Sequence, residues 1–268
     1  AGFEMDSWEM STQTWTPRLP EIFRKRRDYD LLPWLVVSAG GRIVGSPEES
    51  ERYLWDLRRT LADMIGENYY GYMASQLHQR GLAFYAEACG AQQFLYDPIN
   101  YFRSVDIPIG EFWANSTGPR ADCKLAASAA QLYDRKIVAA ESFTAPGGWS
   151  RSPGTLKPLA DAAFVSGVNH FIIHAFVHQP WPDGTPNVAP GATPGPWGTN
   201  FNRFTTWWRQ GFAFTDYIAR CSALLQGGQF VGDALYLSNE GAPAGLGYEQ
   251  GPFLRCVHGF KPAGNDVH

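Results

Sequence analysis

Apolar residues along this chain fall into two arrangements. Between residues 47 and 80 they follow helical spacing, with Leu54, Leu57, Leu61, Met64, Ile65, Tyr69 and Tyr72 marking one face. Ser46, Pro47 and Glu49 stand as N-cap, first helical residue and third residue, which predicts a capping box. Gly81 is placed to end the helix. From there the pattern changes. Short apolar runs appear that do not alternate with polar residues: "GLAFYAEACG", "VDIPIGEFWA", "KIVAAESFT" and "VNHFIIHAFVH". Strands of that kind are buried on both faces, as in a parallel sheet covered by helices. Helices predicted over roughly 119–135 and 155–167 separate the later runs.

Repeating strand–helix units of about 30 residues fit a β/α barrel or a doubly wound sheet. The strand ends separate the two. A doubly wound nucleotide binder carries a Gly-rich turn after a strand, and neither G-x-G-x-x-G nor a P-loop occurs. Instead the runs end in acids, at Glu87, Glu111 and Glu141. In a barrel those ends converge on one pocket. The fold expected is therefore α/β, a (β/α)8 TIM-type barrel. The Pro- and Gly-rich segment 179–203 follows an apolar strand and precedes a Trp-rich helix, so it is expected to be a long ordered loop over the barrel mouth. After Gly227 and Gly228, "FVGDALYLSNE" reads as the first strand of a further unit. The domain boundaries expected are 1–228 and 229–268.

Composition narrows the function. The 268 residues carry a net charge of −4 and no basic stripe, which argues against nucleic acid. No run of 18 apolar residues offers a membrane span. Cys89, Cys123, Cys221 and Cys256 lack C-x-x-C spacing, so buried free thiols are expected rather than zinc or disulfides. Aromatic residues reach 15%, including ten Trp, which serves either a Trp-rich core or a surface that covers the apolar faces of sugars.

The acids carry the chemistry. A carboxylate after "IVAA" is costly to bury unless paired, bound to a cation or hydrogen-bonded. The same holds for Glu111 in "GEFW" and Glu87 in "AEAC". In "DSWE", Asp6 and Glu9 flank Trp8; they read either as a helix start or as a turn from a strand into the pocket. Several acids at one pocket cannot all ionise without a cation or many donors. They divide naturally into a working pair and ligands for a hard cation such as Ca2+. His174 and His178 lie four apart in a β-rich run, about 13 Å in an extended chain, too far for one metal. His174 reads as a hydrogen-bond donor to a sugar. Paired carboxylates among aromatics point to glycoside hydrolysis, and no G-x-S-x-G elbow supports an esterase.

Taken in order, "DSWE", "WTP", "AEACG", "IPIGEFW", "AAESFT", "FIIHAFVHQP" and "LLQGGQFVGDALYL" resemble glycoside hydrolase family 106, the α-L-rhamnosidases. The resemblance implies a catalytic (β/α)8 barrel inside a larger multidomain enzyme, of which this chain would be the partial barrel from about strand four to strand eight. It implies removal of terminal α-L-rhamnose from glycosides or polysaccharides with inversion, aided by Ca2+. It carries Asp6, Glu9 and Glu141 over as catalytic-site acids, Glu111 as the leading calcium ligand and Glu87 as a second. Trp8, Trp113, His174 and His178 would bind substrate. By analogy with related barrel glycosidases, Glu9 is the general acid and Glu141 the general base, although the two roles could be exchanged. The partners expected are a rhamnoside substrate and the remainder of a larger polypeptide, with no nucleic acid and no membrane span, in an extracellular or periplasmic setting. A retaining, β-galactosidase-like enzyme and a non-catalytic carbohydrate-binding fragment are the alternatives. These 268 residues alone would leave the barrel open, with an exposed edge and apolar strand faces.

Overall fold

The computed structural model describes residues 1–8, 14–88, 98–116, 121–192 and 195–234. They form two compact units, one built on Ala1–Phe84 with residues 98–105, the other on Tyr85–Ala88 with Asp106–Val231.

The first unit opens with strand β1 (Gly2–Met5) and continues with helices α1 (Leu19–Arg27), α2 (Leu35–Gly40), α3 (Pro47–Ile65) and α4 (Tyr72–His78). The capping box forms as the sequence predicts. Ser46 Oγ accepts the Glu49 N–H at 3.1 Å, and Glu49 Oε2 accepts the Ser46 N–H at 2.9 Å. The helix expected over 47–80 is not a single α-helix. Between α3 and α4 the chain takes a π-helical turn, Gly66–Gly71. Glycine opens and closes this turn; a Cβ on Gly66 would come within 3.2 Å of the Tyr101 ring. Gly81 ends the run at φ +68°, a conformation glycine adopts without steric cost. Leu19, Phe23, Leu31, Tyr53, Leu57 and Leu61 are buried together and hold α1 and α3 in one core.

The second unit is the larger part of a parallel sheet. Its strands are β2 (Ala83–Glu87, beginning at the edge of the first unit), β3 (Ile107–Trp113), β4 (Ala139–Thr144) and β5 (His170–Ile173). The short helix α5 (Pro98–Phe102) precedes β3. The five strands run in the order β1-β2-β3-β4-β5, and β2 to β5 pair in parallel with their neighbours. Helices α6 (Ala121–Leu132), α7 (Pro153–Val165) and α8 (Phe212–Gly227) follow or cover the strands. This is the expected partial TIM-type barrel.

Period-two alternation assigns the two strand faces. Gly110 and Phe112 of β3, Ala140 of β4 and Phe171 of β5 face the helices. Phe112, Ala140, Leu156, Ala160, Phe201 and Phe214 share a buried cluster there. At Gly110 the sheet and α6 nearly touch. A Cβ would lie 2.7 Å from both the N and the Cα of Cys123. On the other face Ile107, Ile109 and Ala139 are buried together, with Tyr85, Ile137 and Ile172 packed against them. This is the layered interior of a barrel.

Cys123 is a buried free thiol and Cys221 a half-buried one, while Cys89 and Cys256 lie outside the described residues. The segment after β5 is irregular but tied down, through antiparallel bridges joining His178 to Ala192 and Pro146 to Trp197. The helix expected from residue 203 starts later. A turn at Asn202, whose Oδ1 accepts the Phe204 N–H at 3.0 Å, and a 3-10 turn, Trp208–Gln210, use up the first residues of that stretch. Of the strand expected over 230–240, residues 235–240 lie outside the described residues, and residues 230–233 are not in a strand. Among those described, no helix is long and apolar enough to cross a membrane.

Candidate active site

Above the apolar layer the same strand face turns polar. Continuing the alternation, Glu87 ends β2, Glu111 lies on β3 and Trp113 ends it, and Glu141 lies on β4. Glu111 and Glu141 are register partners on adjacent parallel strands, about 4.8 Å apart in the backbone, and so face the same side. Glu87 is buried, and one of its carboxylate oxygens lies within 4.8 Å of one from Glu141. The two side chains therefore converge across β3. Two carboxylates at that range do not both stay charged unless donors, a shared proton or a cation offset the repulsion.

Glu141 has its donors. Thr144 Oγ1 donates to Glu141 Oε1, and His174 Nδ1 lies 3.1 Å from the same oxygen and 3.0 Å from Thr144 Oγ1. Because the single Thr144 hydroxyl proton goes to the carboxylate, the hydrogen on this side of the His174 ring must sit on Nδ1. Burial pushes the Glu141 carboxyl up. The hydrogen bonds from His174 and Thr144 and the charge of His174 outweigh it and hold the group below its ordinary value. Glu141 is thus kept as a carboxylate. On β3, the Trp113 indole N–H donates to Glu111 Oε1, which fixes ring and acid relative to each other.

A β-bulge shapes this cluster. Phe112 pairs with Ser142, but Trp113 pairs with Thr144, so Phe143 is the extra residue. It has φ 70°, a left-handed conformation rare for a bulky side chain and costing about 1–3 kcal/mol. The ring is fully buried against Phe112, Phe201 and Phe214, which returns about as much.

The glutamates Glu87, Glu111 and Glu141 thus come together with Trp113 and His174, although only Glu87 ends its strand: the strand expected to end at Glu141 runs on to Thr144. His178 does not join them: it is exposed, and its described hydrogen bond is from the Ala192 N–H to its carbonyl at 2.8 Å. Asp6 and Trp8 belong to the first unit. Asp6 Oδ1 accepts the Ser7 N–H at 2.8 Å, and Trp8 packs edge-on against Tyr69 with ring centroids 5.0 Å apart. Glu9, the proposed acid, lies outside the described residues.

Sequence reading missed two participants. Thr144 stands three residues from Glu141, an odd spacing that places it on the opposite face of a regular strand. Trp197 lies in the loop after β5, half exposed, with its ring 5.4 Å from that of Trp113. The Trp content of that loop was its only signal.

Comparison with known proteins bears on the family and the fold. A protein of Formosa agariphila, provisionally named a beta-glucuronidase, is 41% identical over 239 residues, which is 89% of this chain and 20% of that protein. The solved rhamnosidase from Novosphingobium sp. PP1Y superposes with a TM-score of 0.74 at 38% identity, covering 88% of this chain and 23% of that one. The chain thus spans about a fifth to a quarter of the length of these relatives. The family model described as alpha-L-rhamnosidase matches residues 3–261, nearly the whole sequence, and the chain belongs to that family, glycoside hydrolase family 106.

Proposed function

We propose that this chain forms the C-terminal strands of the catalytic barrel of a glycoside hydrolase that removes terminal α-L-rhamnose with inversion, and that Glu141 is its general base. The observation that carries this reading is the state of Glu141, a partly buried carboxylate held ionised by Thr144 and His174. An ionised carboxylate on the inner face of a barrel strand can take a proton from a water molecule as that water attacks the anomeric carbon. The acid that protonates the leaving oxygen would be Glu9. Trp113, with its N–H tied to Glu111, offers a fixed aromatic face to the sugar, and Trp8 and His174 are further substrate contacts in this reading.

The donor set also suits calcium. Ca2+ takes carboxylate oxygens at 2.3–2.6 Å, so an ion between two of them spans roughly 4.6–5.2 Å. The Glu87 and Glu141 oxygens, no more than 4.8 Å apart, are close enough to reach one ion, and Glu111 stands one strand over from Glu141. Glu87 and Glu111 would hold the ion, with Glu141 close enough to share it. When bound, it supplies positive charge that offsets the acids and orients sugar hydroxyls.

The relative named a beta-glucuronidase motivates a second reading, a uronide substrate. A uronate would bring another carboxylate to three glutamates, whereas rhamnose is uncharged. The deciding experiment assays the full-length protein on 4-nitrophenyl α-L-rhamnoside, β-D-glucuronide and β-D-galactoside, with and without EGTA. Rhamnoside turnover lost on chelation and restored by Ca2+ supports the proposal, and proton NMR should show the inverted anomer first. Glucuronide turnover alone would move the assignment to the second reading. Turnover of none of the three, with sugar still bound, would leave a binding protein.

A further inference from the structure

In a regular strand, residues three apart point to opposite faces. By that rule the side chain of Thr144 should face the helices and that of Glu141 the barrel interior. The observed hydrogen bond between them contradicts the rule, and the bulge explains it. Phe143 is left without a register partner, Trp113 pairs with Thr144, and the parity of β4 is reset by one residue. Phe143 turns into the helix-side cluster, and Thr144 turns onto the face of Glu141.

The arrangement is tied from both sides. The Phe143 carbonyl accepts the Thr199 hydroxyl at 2.9 Å, and the Thr144 carbonyl accepts the Ala114 N–H at 2.9 Å. Gly198, at φ +105°, packs against the backbone of His174 and Ala175, where a Cβ would lie 3.0 Å from the His174 carbonyl carbon. The Thr199 N–H then donates to the His174 carbonyl at 2.8 Å. One loop therefore fixes both the bulge that aims Thr144 and the backbone that carries His174.

We propose that Thr144 is a positioning residue for Glu141, brought onto the acid's face by the one-residue bulge at Phe143. This rests on Glu141 being the base, and deepens that reading by naming what aims it. The hydroxyl pins Oε1 and so sets the direction of the second oxygen toward the attacking water.

The test is a double-mutant cycle in the full-length enzyme on an activated aryl rhamnoside. Thr144→Val should lower kcat by about 10- to 100-fold with KM changed less than about twofold, since misaiming a base costs rate rather than ground-state binding. Thr144→Ser, which keeps the hydroxyl, should recover to within about threefold of wild type. In a Glu141→Ala background Thr144→Val should change the residual rate by less than about twofold, because nothing remains to be aimed. An equal loss in both backgrounds, or a Thr144→Ser variant as impaired as Thr144→Val, overturns the inference while leaving the function intact. Full activity in Glu141→Ala itself overturns the base assignment, and the inference with it.

Discussion

Asp63 and Glu141 are both partly buried carboxylates, each one-fifth exposed at the side chain, and the protein treats them in opposite ways. Asp63, in the first unit, is surrounded by guanidinium groups. Arg59 approaches to 3.0 Å, Arg27 to 3.3 Å and Arg26 to 3.6 Å. Asp56 and Glu67 join the same lattice through Arg27 and Arg26, and Tyr29 donates to Asp56 at 3.0 Å. Glu141, in the second unit, is held by a hydroxyl and an imidazole, with a second carboxylate close by. A fixed cation cancels the charge and spends it on joining α1 to α3. Hydroxyl and imidazole donors keep the charge in place and leave it available to a proton or a metal ion. On the role proposed for Glu141, the difference separates acids that build from acids that react more sharply than burial alone does.

The largest expected break in this contrast is chemical. Glu141→Gln in the full-length enzyme should cut kcat by about 10²–10⁴, with little change in its thermal unfolding. A comparable loss of stability without loss of rate would put Glu141 in the class of Asp63. The reciprocal change, Asp63→Ala, should leave kcat alone. It should cost the first unit about 1–3 kcal/mol, between the limits for exposed and buried pairs, seen as faster amide hydrogen exchange in α1.

A third effect is set by pH. Since the folded-state value of Glu141 lies below its ordinary 4.5, the acid limb of kcat/KM should fall below that figure. Removing a donor with His174→Gln should move the limb upward. The linked stability is present above about pH 4.5 and is lost as the pH falls through the lower folded value. An acid limb above pH 5 in the wild type would deny that Glu141 is the base. The smallest effect is ionic. Raising salt from 0.1 to 1 M should loosen the partly exposed Arg–Asp lattice by a few tenths of a kcal/mol, read as exchange in α1, and leave rhamnoside kcat unchanged.

Much of this was legible in the sequence. Four of the five strands, β2 to β5, their order and the glutamates on three of them follow from apolar stretches too continuous for a one-sided sheet, while β1 was only one of two readings of the lead-in to "DSWE". The α3 start follows from Ser46 and Glu49, whose side chains act on neighbouring backbone. The expected helices of 119–135 and 155–167 appear as Ala121–Leu132 and Pro153–Val165. What stayed hidden depended on tertiary contact. The π-helical turn at Gly66–Gly71 interrupts a pattern that looks unbroken, since apolar spacing does not register one extra residue per turn. Thr144 was invisible for the same reason in a strand: the bulge at Phe143 becomes favourable only once its ring is buried among partners distant in sequence. His174 was seen, but its ring meets Glu141 and Thr144 through a neighbouring strand.

Gly110 carries one more consequence. With α6 seated against its α-carbon, the height of the following residue, Glu111, is fixed by a helix and not by its own rotamer alone. Anyone wishing to lower or raise that carboxylate, to suit a smaller ion or a bulkier sugar, would have to slide α6 along the sheet rather than exchange a side chain. The absence of a methyl group at position 110 thus lets α6 set that height, and because an added Cβ would lie 2.7 Å from the backbone of Cys123, substitutions there should be felt in folding as well as in ligand preference.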